Sequence, residues 1–254
     1  MGGKFYLRCW QLQSPLAPAI VCDAGMNLSA DQIRWILIRV FVLVISVAFH
    51  EFGHAFMATR MGDDTPRRQG RVTLNPLAHI DPIGTLLLPI AGGVYGAASG
   101  HGGGFGWGKP VQWNPSRIKR GVKMSTASIL VALAGPTMNL VLGTLVCLTH
   151  VILVWRGVID PAGEVSQILF FTVITNFVLM FFNLLPAPPL DGGHVLEHLL
   201  PYKYRAQFDS YAKFGPFVVL AVAMIPPLAK IFLIPAQFCA GELYKLAFAI
   251  FGLG

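Results

Sequence analysis

Charge is what this sequence has least of. Only 12% of its 254 residues are charged, while 54% are hydrophobic, and a soluble domain carries about twice that charged share. The deficit excludes an ordinary water-soluble fold. The four cysteines (Cys9, Cys22, Cys147, Cys239) contain no C-x-x-C pair, so no disulfide framework is read from them. The first 25 residues lack a sustained apolar core and do not form a signal peptide. Met26 is a more natural start, with Ser29 or Asp31 as a helix cap, so residues 1–30 are expected to be a dispensable extension. No internal repeat is present, and no soluble domain. Acidic residues are scarce: 12 Asp+Glu stand against 19 Lys+Arg, and 109–123 contains none. The basic surplus sits in short loops between apolar runs. That is the positive-inside pattern of membrane topology, not a nucleic-acid footprint.

What is present is a series of apolar runs, at 33–59, 83–98, 125–155, 165–186 and 214–254. A bilayer-spanning helix takes roughly 20 residues, so the expected fold is an all-α polytopic membrane protein of about 4–6 transmembrane helices. Residues 31–200 would form a catalytic membrane core and 201–254 a C-terminal pair of spans or a single one, broken by Pro216, Pro226, Pro227 and Pro235. The basic loops at 60–82, 109–123 and 199–213 belong on the cytoplasmic side, and the acidic loop at 156–164 on the outer side. The run at 83–98 then enters and leaves on one side. It is short and interrupted by Gly and Pro, which marks a re-entrant segment lining a cavity.

His50-Glu51-Phe52-Gly53-His54 lies near the end of the first run. Histidines at i and i+4 share one helical face and can grip one Zn²⁺. The Glu beside the first His can take a proton from the water that such a site activates. His50 and His54 are therefore candidate ligands and Glu51 the candidate general base. Ionisable residues deep in a spanning helix are costly and rarely kept without function. The plainer alternative is a set of polar side chains snorkelling to the interface from a helix end.

A catalytic zinc takes three protein ligands, and Asp191 is the best third. It follows the apolar run 165–186 and a proline-rich break. With 83–98 re-entrant, the first helix and this one run in the same direction, which puts His50, His54 and Asp191 at one depth. His194-Val195-Leu196-Glu197-His198 is a rival, inverted motif, read more simply as a surface helix start. A glutamate ligand from Glu164, Glu197 or Glu242 is a further alternative, without a convincing helix beside the site. Outside enzymes, the competing classes are a metal transporter and an inactive relative. Ionisable groups within the spans cluster at the two motifs rather than along several helices, and no ligand is missing.

Together these motifs resemble the site-2 protease family of intramembrane zinc metalloproteases. The resemblance is carried by His50-Glu51-Phe52-Gly53-His54, by Gly135-Pro136-Thr137-Met138-Asn139 and by Asn183 to Gly193 in an N-x-x-P-x-P-x-L-D-G pattern. Smaller matches are Gly70 to Pro76 and Leu88-Pro89-Ile90-Ala91-Gly92. It implies one Zn²⁺ on His50, His54 and Asp191, with Glu51 as base. It also implies cleavage of a partner's transmembrane segment within the cell membrane near the cytosolic face, after an upstream site-1-type protease. The loop before the L-D-G helix is too short for the PDZ-like domain of many members, so this is a compact, PDZ-less branch. Asn139 and Asn183 are candidate oxyanion donors, the alternative for each being an interhelical packing bond. The stretches 72–74 and 104–111 are expected to be partly β, as edge strands that hold an unwound substrate.

Overall fold

The computed structural model describes residues 28–99 and 106–252. The expected extension at 1–25, Cys9, Cys22 and the start of the 104–111 stretch lie outside the described residues. Among the described residues, four helices are long and apolar enough to cross a membrane: α1 (Ala30–Met61), α4 (Met124–Trp155), α5 (Glu164–Asn183) and α9 (Pro226–Ile250). Shorter helices lie between them: α2 (Thr65–Arg68), α3 (Leu88–Ser99), α6 (Asp191–Leu199), α7 (Arg205–Ala212) and α8 (Gly215–Met224). The break between α8 and α9 falls at Ile225, held extended before Pro226 and Pro227, because a proline crowds the α conformation of the residue preceding it.

α1 begins on a capping box, with the Ser29 side chain accepting from the Gln32 N–H and Gln32 answering on the Ser29 N–H. This satisfies amide donors that the first turn would leave unpaired. It stops at Gly62, whose φ of 113° suits glycine. The surface is inverted relative to a soluble protein. Leu37, Phe41, Leu145, Ile234 and Phe238 are exposed, while the interior is rich in alanine: Ala48, Ala55, Ala58, Ala127, Ala132 and Ala134. Small residues let helices meet where lipid supplies no hydrophobic drive. A Cβ on Gly53 would lie 2.5 Å from Ala134 O, so α1 and α4 touch there nearly backbone to backbone. A second core joins α4, α5 and α9 through Cys147, Val151, Val173, Phe177, Ala236 and Ala240.

Pairings along the helices give their directions. On α4, Val131 meets His54, Asn139 meets His50 and Ser46, and Gly143 meets Asn176 and Phe177 of α5. α4 is thus antiparallel to both α1 and α5, which run together. At the shared start of those two, Arg34 pairs with Glu164 at 3.1 Å.

Residues 82–99 and 106–114 form the two legs of a hairpin beside α1. Asp81 caps a π-helical turn, Pro82–Leu87, by accepting from Ile83 N and Gly84 N. α3 then climbs until Gly93 faces Ile36. The returning leg passes Leu43 at Gly106, Val47 at Gly108 and Glu51 at Val111, and reaches Asp63 at Asn114. That course follows about 27 Å of helix axis, to the end of α1 at Met61. Its few residues cover it only when nearly fully extended, at about 3.3–3.6 Å each. The legs are tied by Trp107 N to Gly84 O (3.1 Å), Lys109 N to His79 O (2.9 Å) and the Thr85 hydroxyl to Trp107 O (2.7 Å). Among the described residues no strand forms. Stretches 72–74 and 106–111 are therefore not the β-strands expected, since their bonds go to loop and side-chain partners rather than to a ladder.

Candidate metal centre

His50 and His54 stand one turn apart on the face of α1 turned towards α4, with Nε2 atoms 3.0 Å from each other. Asp191 closes the triangle: Oδ2 is 3.1 Å from His50 Nε2 and Oδ1 is 3.3 Å from His54 Nε2. These are the residues the sequence singled out. Among the described residues, they are the group of His, Cys, Asp or Glu whose ligand atoms all fall within 4.8 Å.

The far nitrogens are occupied. His54 Nδ1 lies 2.7 Å from Val131 O, and a carbonyl only accepts, so Nδ1 carries the hydrogen and Nε2 is a bare lone pair. His50 Nδ1 lies 2.7 Å from Asn139 Oδ1, with the same consequence. Two lone pairs and a carboxylate thus converge in a buried space. Asp191 Oδ2 is itself buried without a hydrogen-bond partner. Such an arrangement repels itself unless a cation joins it. Tetrahedral bonds of about 2.0–2.1 Å would separate ligand atoms by about 3.3 Å, close to the spacings seen. The donor set of two imidazoles and one carboxylate suits zinc.

Glycines make the space. A Cβ on Gly135 of α4 would lie 2.5 Å from His54 Cε1 and 2.7 Å from His50 Cε1. Asp191 opens α6, and Gly192 and Gly193 press against the carbonyls of Leu184 and Leu185 and the backbone of Ala187 and Pro188. That packing aims the carboxylate back at α1. Glu51 is also buried, and its Oε2 accepts from Val111 N at 3.1 Å, so the extended leg of the hairpin lies across the carboxylate. Behind that leg, burial pushes the His79 imidazole below its ordinary pKa. His79 is thus neutral and donates Nε2–H to Thr73 O.

The other candidates are elsewhere. Asn139 spends both amide hydrogens on Ser46 O and Asn176 Oδ1, so its place is beside His50 and it has no N–H left for an oxyanion. Asn183 donates to Leu179 O and has a second amide hydrogen. His194 is exposed, 3.8 Å from Glu197, and His198 donates to His194 O. That pair forms no metal cluster. Glu164 pairs with Arg34 at the opposite end of α1, and Glu242 pairs with Lys245. Asn176, Ser46 and the Val111 N–H were not foreseen, and Gly135 was noticed only as part of a motif. Asn176 is one of two asparagines in the apolar run 165–186, the other being Asn183, and that was the available signal.

The model of peptidase family M50 matches residues 148–226, a stretch that contains Asp191. "Putative zinc metalloprotease YwhC" of Bacillus subtilis is 36% identical over 216 residues, 84% of this chain and 91% of its own length. "Putative zinc metalloprotease Rip2" of Mycolicibacterium smegmatis is 39% identical over 212 residues, 79% of this chain and 73% of its own. The protein of that name from Mycobacterium tuberculosis is 36% identical over 198 residues, 74% and 68% respectively. No solved structure matches. With relatives so named along most of its length and a site built for a divalent cation, this multi-pass membrane chain belongs to peptidase family M50, the site-2 protease family, and is a zinc metalloprotease.

Proposed function

We propose that the protein is an intramembrane endopeptidase that hydrolyses peptide bonds in or near the transmembrane segments of other membrane proteins. In this reading His50, His54 and Asp191 hold one zinc and Glu51 is the general base. One observation carries it: two imidazole nitrogens and a carboxylate converge beside a buried glutamate, on helices with lipid-facing exteriors. When bound, zinc supplies Lewis acidity, acidifying water and polarising a carbonyl. Glu51 accepts a proton from the water that adds to the scissile carbonyl and returns it to the leaving amine as the C–N bond breaks. Asn183 is the remaining side-chain candidate for the developing oxyanion.

The site lies towards the cytoplasmic side of the cell membrane. The basic loops at 60–82, 109–123 and 199–213 adjoin the end of α1 that bears His54, and the Arg34–Glu164 end is the outer one. Both feet of the 82–114 hairpin stand at the inner end, which supports a re-entrant segment. Its extended leg offers backbone to an unwound substrate by strand addition. Cleavage follows a first cut by a site-1-type protease. Residues 31–200 act as the catalytic core, 201–254 as a supporting membrane unit and 1–30 as a dispensable extension.

The test is zinc per chain in detergent for the wild type, Asp191→Ala and the double variant His194→Ala/His198→Ala. About one zinc is expected in the wild type and the double variant, with loss in Asp191→Ala. Cleavage of a transmembrane reporter is then compared with Glu51→Gln, which keeps zinc and loses about 10²–10⁴ in rate. Full zinc in Asp191→Ala, with loss in the double variant, transfers the site to the inverted motif and ends this reading.

A further inference from the structure

Two asparagines are wholly buried in apolar helices, Asn139 in α4 and Asn176 in α5. An amide in that setting is costly without partners, and these two have partners of a particular kind. Asn176 Nδ2 donates to Thr172 O at 2.9 Å and to the Ser46 hydroxyl at 3.0 Å. A carbonyl cannot donate, so the nitrogen of Asn176 must face Thr172, and its oxygen turns towards α4. There Oδ1 accepts from Asn139 Nδ2 at 3.1 Å. The second hydrogen of Asn139 goes to Ser46 O, also at 3.1 Å. Asn139 can then present only its oxygen to His50 Nδ1. Each bond has a fixed sense, and the sequence of senses ends on the nitrogen of His50 that faces away from the metal.

We propose that Asn176 is a positioning residue that, through Asn139, locks His50 in the tautomer with hydrogen on Nδ1 and a lone pair on Nε2. It touches neither metal nor substrate. The backbone is shaped for the relay: a Cβ on Gly143 would lie 3.3 Å from Asn176 Cβ, so α4 and α5 approach closely where the amides meet. Ser46, one turn before His50 on α1, receives one bond from each asparagine. Three spanning helices are therefore joined at one hydrogen-bonded point directly behind the first ligand. Partners of this class are worth about 10–100-fold in metal affinity. The inference rests on His50 being a zinc ligand.

A packing role would need an asparagine's volume and any hydrogen bond. The relay needs an acceptor aimed at Asn139. Asn176→Leu keeps the volume and removes the acceptor, whereas Asn176→Asp retains an oxygen towards Asn139. The full-length protein in detergent is measured by chelator competition for zinc and by the visible absorption of its cobalt-substituted form, with His50→Ala as control. Expected are a zinc affinity about 10–100-fold weaker in Asn176→Leu, with an altered cobalt spectrum, and recovery of both in Asn176→Asp. Wild-type affinity and spectrum in Asn176→Leu, with zinc lost in His50→Ala, overturn the relay and leave the ligand assignment standing. Equal losses in both Asn176 variants, alongside equal losses of thermal stability, reduce Asn176 to packing and also overturn it. Zinc retained in His50→Ala removes the ligand reading itself.

Discussion

Gly135→Ala adds one methyl group to the protein at the point where α4 faces both histidines. The new carbon would lie 2.5 Å from His54 Cε1 and 2.7 Å from His50 Cε1, and closer still to His54 Nε2. Ordinary contact begins at 3.4 Å, so the His54 ring must retreat by about 0.9 Å or more, as must the helix if the ring does not. A ring at the end of a free side chain would swing away cheaply. This one is bound at Nδ1 to Val131 O on the same helix as the intruding methyl, and His50 is bound to Asn139. Metal–ligand distances tolerate about ±0.2 Å, several times less than the displacement. Zinc affinity should therefore fall by about 100-fold or more, the upper end for disturbing a ligand's setting. The helix itself should not suffer, since Ala exceeds Gly in helix propensity by about 1 kcal/mol. The assay is zinc content after dialysis against a graded chelator, paired with thermal unfolding of the metal-free protein. Zinc bound as tightly as in the wild type would refute the close approach of α4 to the histidines, and with it the geometry of the site.

Further outcomes follow from other contacts. Val111→Pro removes the N–H that Glu51 Oε2 accepts and should cut reporter cleavage at least tenfold while zinc stays at about one per chain; unchanged cleavage would detach the extended leg from catalysis. Burial pushes the Asp63 carboxyl upward, but hydrogen bonds from the Thr65 hydroxyl and N–H and from Asn114 N outweigh it and hold the group below its ordinary pKa. A depressed folded pKa stabilises above the unfolded value of about 3.9 and is lost as pH falls through the folded one. The wild type should thus unfold at higher temperature than Asp63→Asn throughout pH 5–8, and the difference should shrink below about pH 4. Chelation should abolish cleavage and lower the unfolding temperature, because the converging lone pairs and carboxylate lose the cation that reconciles them; restored zinc should reverse both.

Much of this was legible because chemistry in a membrane helix has few disguises. A run of apolar residues interrupted by His50, Glu51 and His54 can only place them at membrane depth. Asp191 was singled out by a topological argument, and the structure sets it 3.1 Å and 3.3 Å from the Nε2 atoms of His50 and His54. Of the prolines expected to break the run 214–254, Pro226 and Pro227 do so, whereas Pro235 lies inside α9. Asn139 was noticed, but its role was not readable. Whether an asparagine serves an oxyanion or a histidine depends on which way its amide faces, and that is decided by Ser46 and Asn176 on two other helices. Gly135 was noticed as part of a motif, but its use, making room for the two histidine rings, showed only once His54 stood opposite. The Val111 N–H is a backbone atom and leaves no mark in a sequence. The strands expected at 72–74 and 106–111 failed for a related reason: the leg is extended, but its partners are His79, Gly84 and Glu51 rather than another strand.

The separation of Asp191 from the histidine pair also has a consequence in time. On the proposed ligand set, the first two ligands leave the ribosome well before the third, by roughly 7–27 s at elongation rates of about 5–20 residues per second. Until α5 has entered the bilayer and α6 has turned back, the pair lacks its carboxylate. A half-made chain therefore lacks a complete metal site on that set. On that reading the site closes only after α5 is in place, with α8 and α9 still to follow.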